Sequence, residues 1–228
     1  MAFAYPFNLV ICDFDNTLVE SERVNAELFA EFFQTFGGVE SDQHDHEFVD
    51  SAAFVEVIRH YQRRYKSVLG GHGESELIER FLQYKSRRLP EIGLRTATGL
   101  DELLELPIAK AIVSGSYSRE IVAGAKAAGL AIGSFALVLG SDEYFPWKPN
   151  PAGLLLAASR LDRVPRVSAV LEDSISGLTA ARDAGMQPVF IGEFSTVGRD
   201  EATKLTTWTF STIGEFARAL KQLAADGS

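Results

Sequence analysis

The sequence predicts an α/β chain: a doubly wound parallel sheet with a helical insertion between its first two strands. Three observations lead there. Short continuous apolar runs recur at Phe7 to Cys12, Ile108 to Ser114, Phe135 to Gly140, Val167 to Asp173 and Gln187 to Gly192. Such runs suit strands covered on both faces. Helical patterns alternate with these runs in the second part of the chain, the order that builds βαβ units. Residues 21–92 break the alternation with three helical patterns and no convincing strand.

The first strand ends at two acids, Asp13 and Asp15. After the second, "SREIVAGAKAAGL" reads as a helix capped by Gly129. "NPAGLLLAASRL" opens with Asn150 as N-cap and Pro151 at the first helical position. "SISGLTAARDAG" closes at Gly185, "TTWTF" around Trp208 is a weaker strand candidate, and "TIGEFARALKQLAAD" forms the last helix. The result is a Rossmann-like core of residues 1–20 and 93–228, with a helical domain of residues 21–92 set into it. In such sheets the active residues stand at the carboxyl ends of the strands. The stripe Val24, Leu28, Phe29, Phe32, Phe33 and Phe36 reads as the buried face of an amphipathic helix.

The 228 residues are 46% hydrophobic and 23% charged, with a net charge of -9. That composition is globular, and the negative charge argues against a nucleic-acid or anionic-membrane surface, which needs clustered Lys and Arg. The single cysteine, Cys12, has no disulfide partner within the chain, and no apolar run approaches a membrane span. The N-terminal "MAFAYPFNLV" lacks the basic start and small-residue cleavage site of a signal peptide. The expectation is a cytoplasmic protein.

Asp13 and Asp15 stand two positions apart, and carboxylates this close repel unless a cation lies beside them or one holds a proton. Mg²⁺, with its preference for hard oxygen ligands, supplies such a cation. Three more signals fall at strand ends: Ser114 and Gly115 in "AIVSGS", Lys148 in "WKPNP", and Glu172 with Asp173 in "VLEDSISG". Together they bring four acids, a hydroxyl and an ammonium to one edge of one sheet, a set that fits phosphoryl transfer. Asp13 suits the nucleophile of an aspartyl-phosphate route, and Asp15 suits the proton donor and acceptor. Mg²⁺ held by Asp13, the Asp15 backbone carbonyl and Asp173, with Glu172 nearby, lets two anions approach. Lys148, Ser114, Gly115 and Thr17 suit the phosphoryl oxygens.

The ordered set "DFDNT", "SGS", "KPNP" and "EDS" resembles the haloacid dehalogenase superfamily over nearly the whole chain. The insertion resembles that superfamily's first class of helical cap, and "GLTAARDAGM" resembles its sugar-phosphatase and β-phosphoglucomutase-like branch. The resemblance implies a Mg²⁺-dependent phosphatase of small phosphorylated metabolites, such as sugar phosphates or phosphoglycolate- and phosphogluconate-like compounds, acting as a monomer or weak homodimer. Asp15 points to phosphate chemistry, because the dehalogenases lack it. A phosphohexomutase is the alternative, and Asn25 stands where β-phosphoglucomutases usually carry a His. A phospho-acceptor module without turnover and a non-catalytic sugar-phosphate binder are further classes.

The insertion offers Arg59, Arg63, Arg64, Lys66, Lys85, Arg87 and Arg88 as candidates to meet a second anion on the substrate, although most such cations belong to solvated helix faces. His44 and His46 in "DQHDHE" read as a polar loop, since nothing completes a metal shell around them. Cys12, inside an apolar strand, reads as a buried thiol with no catalytic part.

Overall fold

A computed structural model describes residues 5 to 226. Met1 to Ala4, part of the N-terminal stretch assessed above for a signal peptide, lie outside the described residues, as do Gly227 and Ser228. The chain begins with strand β1 (Leu9–Cys12) and enters five helices: α1 (Glu22–Gln34), α2 (Gln43–Ser51), α3 (Phe54–Arg64), α4 (Lys66–Leu69) and α5 (Glu74–Ile92). It then alternates through α6 (Leu100–Leu104), β2 (Ala109–Val113), α7 (Ser118–Ala127), β3 (Leu137–Leu139), α8 (Ala152–Arg160) and β4 (Ser168–Glu172). Helix α9 (Ile175–Asp183), β5 (Gln187–Ile191), α10 (Arg199–Ala202), β6 (Thr209–Phe210) and α11 (Ile213–Asp226) complete it.

All six strands are parallel, in the order β3-β2-β1-β4-β5-β6. The order reverses direction between β1 and β4, and ligands of doubly wound sheets bind beyond the strand ends at that reversal. Strand β1 is buried throughout because both faces are covered: Val10 and Cys12 join the cluster under α6, α7 and α11, while Leu9 and Ile11 join the one under α8 and α9. Alternate residues of one strand thus serve two cores, which is why the run carries no polar alternation.

The insertion has its own core, in which Phe29 stacks on Phe81 at 4.0 Å and Phe33 on Tyr61 at 4.1 Å. The stripe foreseen for α1 is buried there, with Phe36 partly exposed. The second helical pattern of the insertion is three helices rather than one. The chain is extended at Ala52 and Ala53, and the Phe54 N–H reaches across to the Gly115 carbonyl after β2 at 3.4 Å. His44 and His46 lie on α2 rather than in a loop, since Asp42 and Asp45 form a reciprocal cap that starts this helix. Helix α8 starts one residue later than foreseen, at Ala152, whose N–H is taken by Asn150 at 3.0 Å. Two short helices, α6 and α10, were not legible. Lys110, buried in β2, donates to the carbonyls of Leu104 at 2.9 Å and Leu106, and so serves the end of α6.

Insertion and sheet meet along α5 and α7, where Lys85 and Glu120 form a buried ion pair at 2.7 Å. Burial raises the Glu120 carboxyl against the pull of Lys85. A buried pair adds little by itself, but losing one partner leaves a desolvated charge. Lys85→Met is therefore expected to lose about 3 kcal/mol, and the double change Lys85→Met with Glu120→Gln to recover most of it. Urea denaturation curves of the single and double variants check this. Among the described residues no helix is long and apolar enough to cross a membrane.

Candidate active site

At the sheet reversal the chain leaves β1 through Asp13, whose N–H still pairs with the Leu171 carbonyl of β4 at 3.0 Å. Glu172 is the last residue of β4, and Asp173 follows it. Lys148 arrives from the loop after β3 and donates to Asp13 Oδ1 at 2.6 Å, Glu172 Oε1 at 2.5 Å and the Val113 carbonyl at 2.9 Å. Burial works against the Lys148 charge, but Asp13 and Glu172 outweigh it and hold the ammonium protonated. Burial pushes the Asp13 carboxyl up to about 8; Lys148 opposes that rise, while Glu172 and Asp15 add to it. Asp173 is raised well above the usual range by burial, by Glu172 and by Asp13.

Asp13, Glu172 and Asp173 each offer a carboxylate oxygen within 4.8 Å of the others. An all-carboxylate set of this kind suits a hard divalent cation such as Mg²⁺. Glu172 Oε1 is taken by Lys148 and Oε2 by the Ser174 hydroxyl at 2.9 Å, so Asp13 and Asp173 have more freedom to serve as ligands.

Asp15 lies apart from this group, in a pocket of hydroxyls and an amide. Its Oδ1 accepts from the Ser21 hydroxyl at 2.5 Å and the Asn25 amide at 3.0 Å. Its Oδ2 accepts from the Ser116 hydroxyl at 2.7 Å and the Ser114 hydroxyl at 3.3 Å. A hydroxyl hydrogen rotates, so the same serines accept when Asp15 is protonated. The pocket therefore suits both protonation states of Asp15, as a proton shuttle requires.

Ser114 and Gly115 line the cavity together with Lys148. Thr17 is placed differently. It is fully buried, and its hydroxyl donates to Asp173 at 3.0 Å, so it braces that acid from behind. Ser21, Asn25 and Ser116 complete the surroundings of Asp15 without having been read as site residues. The repeated small hydroxyl in "SGS" was the available signal for Ser116 and the position of the mutases' His the signal for Asn25, whereas Ser21 had none beyond its nearness to Asp15 in the chain. The second ring of ligand-type side chains, His44, Asp45 and His60, already holds a cation: Arg64 stands 3.2 Å from Asp45 and 3.1 Å from His44 Nδ1. It is an ion-pair hub of the insertion.

Above the strand ends opens a cavity of about 640 Å³. Its floor includes Asp13, Asp15, Lys148 and Asp173, and the insertion closes it with Phe29, Val49 and Phe54. None of the seven cations named above as candidates lines it. Arg59 pairs with Glu56 and Glu74, Arg64 with Asp42, Lys85 with Glu120, and Arg88 with Glu31. Asn25→Ala leaves Asp13 in place but removes one donor from Asp15. A fall of about tenfold in kcat with KM little changed is expected, read from initial rates.

A doubly wound sheet with paired acids at its reversal, an opposing lysine and a helical cover define a hydrolase of the phosphoryl-transfer type of architecture. The model of the haloacid dehalogenase-like hydrolases matches residues 10–191, and the chain belongs to that family. A validoxylamine A 7'-phosphate phosphatase from Streptomyces hygroscopicus subsp. limoneus is 26% identical over 185 residues, which cover 79% of this chain and 83% of the relative. Among solved structures, CbbY from Rhodobacter sphaeroides in complex with phosphate aligns with a TM-score of 0.78 at 20% identity, over 92% of this chain and 96% of that one. The β-phosphoglucomutase of Clostridium difficile aligns with a TM-score of 0.74 at 17% identity, over 97% and 98%. These two likenesses concern the fold.

Proposed function

We propose that the protein is a Mg²⁺-dependent phosphatase of small phosphorylated metabolites, working through an aspartyl phosphate on Asp13. The observation that carries the reading is the separation of the two acids: Asp13 faces Lys148, Glu172 and Asp173, while Asp15 sits among hydroxyls on the side of the insertion. The 26% identical relative named a phosphatase supports it.

In the first step an Asp13 carboxylate oxygen forms a bond to phosphorus as the ester P–O bond breaks, and Asp15 gives its proton to the leaving oxygen. In the second, water loses a proton to Asp15 and attacks phosphorus, the bond to Asp13 breaks, and inorganic phosphate departs. Lys148 and the "SGS" loop counter the charge on the phosphoryl oxygens. Mg²⁺, when bound by Asp13 and Asp173 with Glu172 alongside, supplies charge neutralisation between nucleophile and phosphate. The helices of residues 21–92 act as a cap that excludes bulk water and selects the leaving group. The same reading places the protein in the cytoplasm.

The test is release of inorganic phosphate from a panel of sugar phosphates, with and without Mg²⁺. EDTA is expected to remove nearly all turnover and Mg²⁺ to restore it. Isomerisation of glucose 1-phosphate without phosphate release would reassign the protein as a mutase, and undiminished turnover in EDTA would remove the metal from the mechanism.

A further inference from the structure

On that reading of the site, we propose that Lys85 and Glu120 are positioning residues for the proton transfer by Asp15: their buried pair ties the insertion to the loop that carries Ser116, so that Asp15 is aligned with the leaving oxygen while the insertion is seated. The observation behind this is a group of ties on one short segment. Gly115 accepts from the Phe54 N–H at 3.4 Å, the Tyr117 ring meets the Phe54 ring edge-on at 4.6 Å, and Glu120 takes the Lys85 ammonium at 2.7 Å. Phe54 and Lys85 belong to the insertion, and Ser116 stands between the residues they hold. Its hydroxyl makes the shorter of the two serine bonds to Asp15 Oδ2, 2.7 Å against 3.3 Å for Ser114.

Glu120 carries the tie into the loop. Its Oε1 takes Lys85 and its Oε2 accepts from the Tyr117 N–H at 3.0 Å, one residue past Ser116. On the core side the Ser116 carbonyl accepts from the Ser141 N–H at 2.9 Å, so the loop is held from both parts of the molecule. The neighbouring pair of Arg119 and Glu79 also joins α7 to α5, at 2.6 Å, but both side chains are exposed and such a pair adds little. Lys85 and Glu120 are buried, and apolar residues of their volume would serve stability as well. What the pair adds is one seating, because a shift of α5 along α7 strands both charges in a dry interface. A group that delivers a proton tolerates little misplacement, even when its cause lies away from the reacting atoms.

The experiment compares kcat/KM for phenyl phosphate and p-nitrophenyl phosphate at fixed Mg²⁺, two esters that differ in one ring substituent and in how much the leaving oxygen needs a proton. The double variant Lys85→Met with Glu120→Gln, expected above to keep most of the stability, removes the tie while the glutamine oxygen still accepts from the Tyr117 N–H. Its kcat/KM should fall about tenfold for phenyl phosphate and less than about twofold for p-nitrophenyl phosphate. Tyr117→Leu, which loosens the same segment without touching a buried charge, should shift the ratio the same way by about threefold. Ser116→Ala removes the donor itself and should show the same bias, and adding it to the double variant should cost less than it costs the wild type. Equal losses for the two esters, no loss in any variant, or full additivity with Ser116→Ala would overturn the proposal and leave the pair a structural support, with the phosphatase reading intact. Absence of Mg²⁺-dependent turnover of both esters by the wild type would instead sink the phosphatase reading and this inference with it.

Discussion

Asp13→Asn is expected to lower kcat by at least about 10³-fold while leaving the fold intact. The two halves of that expectation have separate grounds. Asn matches Asp in shape but its amide is no nucleophile, so no aspartyl phosphate forms. Stability should hold because the wild-type carboxyl is itself an awkward tenant: burial pushes it up, and Glu172 and Asp15 add to the rise. Lys148 also donates to Glu172 at 2.5 Å, a contact that the substitution does not remove. The sign of the pH dependence follows. A carboxyl whose folded value lies above its unfolded one takes up a proton on folding, so its contribution is best at acid pH and is lost as pH climbs. In EDTA, the stability of Asp13→Asn relative to wild type should thus grow as pH rises from about 4 toward the raised value. Denaturation midpoints across that range, beside phosphate-release rates, check both halves. A folded variant with near wild-type turnover would remove Asp13 from the role of nucleophile.

What made the core legible was burial on two faces. Strands β1, β2 and β4 appear as plain apolar runs because each carries residues into both cores, β5 because Val189 and Ile191 enter one core and Phe190 a small cluster with Leu178 and Ala202, and the acids that end β1 and β4 interrupt those runs. The break between α2 and α3 had no such mark. Ala52 and Ala53 are good helix formers, and what extends the chain there is a long-range tie from Phe54 to Gly115, which no local propensity reports. The surroundings of Asp15 were half legible for the same reason: Ser114 and Ser116 occupy a strand end, whereas Ser21 and Asn25 reach it from the entry into the insertion. Charge was the most misleading signal. Seven of the insertion's cations were candidates to meet a second anion, yet those with resolved partners neutralise acids within or beside the insertion, and the cavity receives none of them.

Gly177→Ala should damage the site severely, although Gly177 touches no substrate in the mechanism. A Cβ at this position would lie 1.9 Å from Glu172 Cδ and Oε1 and 2.3 Å from Oε2. An exposed glutamate would swing aside, but Glu172 is held by Lys148 at 2.5 Å and by the Ser174 hydroxyl at 2.9 Å, and is 1% exposed. Either Glu172 leaves Lys148, which then pulls on Asp13 alone, or the first turn of α9 moves and carries Asp173 with it. Both routes disturb the acids proposed for Mg²⁺. Loss of about 10²-fold in kcat/KM with a roughly tenfold rise in the Mg²⁺ needed for half-activation is expected, in the range seen when a residue supporting a metal ligand is changed. The overpacked variant should also lose about 1–3 kcal/mol of stability. Shortening the acid separates the clash from any intrinsic effect of the methyl group on the helix. Gly177→Ala with Glu172→Ala should recover stability relative to the Gly177 variant, non-additively, while activity stays low because Lys148 has lost a partner. Wild-type metal dependence in Gly177→Ala would show that Glu172 has room to move, and that its bonds to Lys148 and Ser174 do not fix the site.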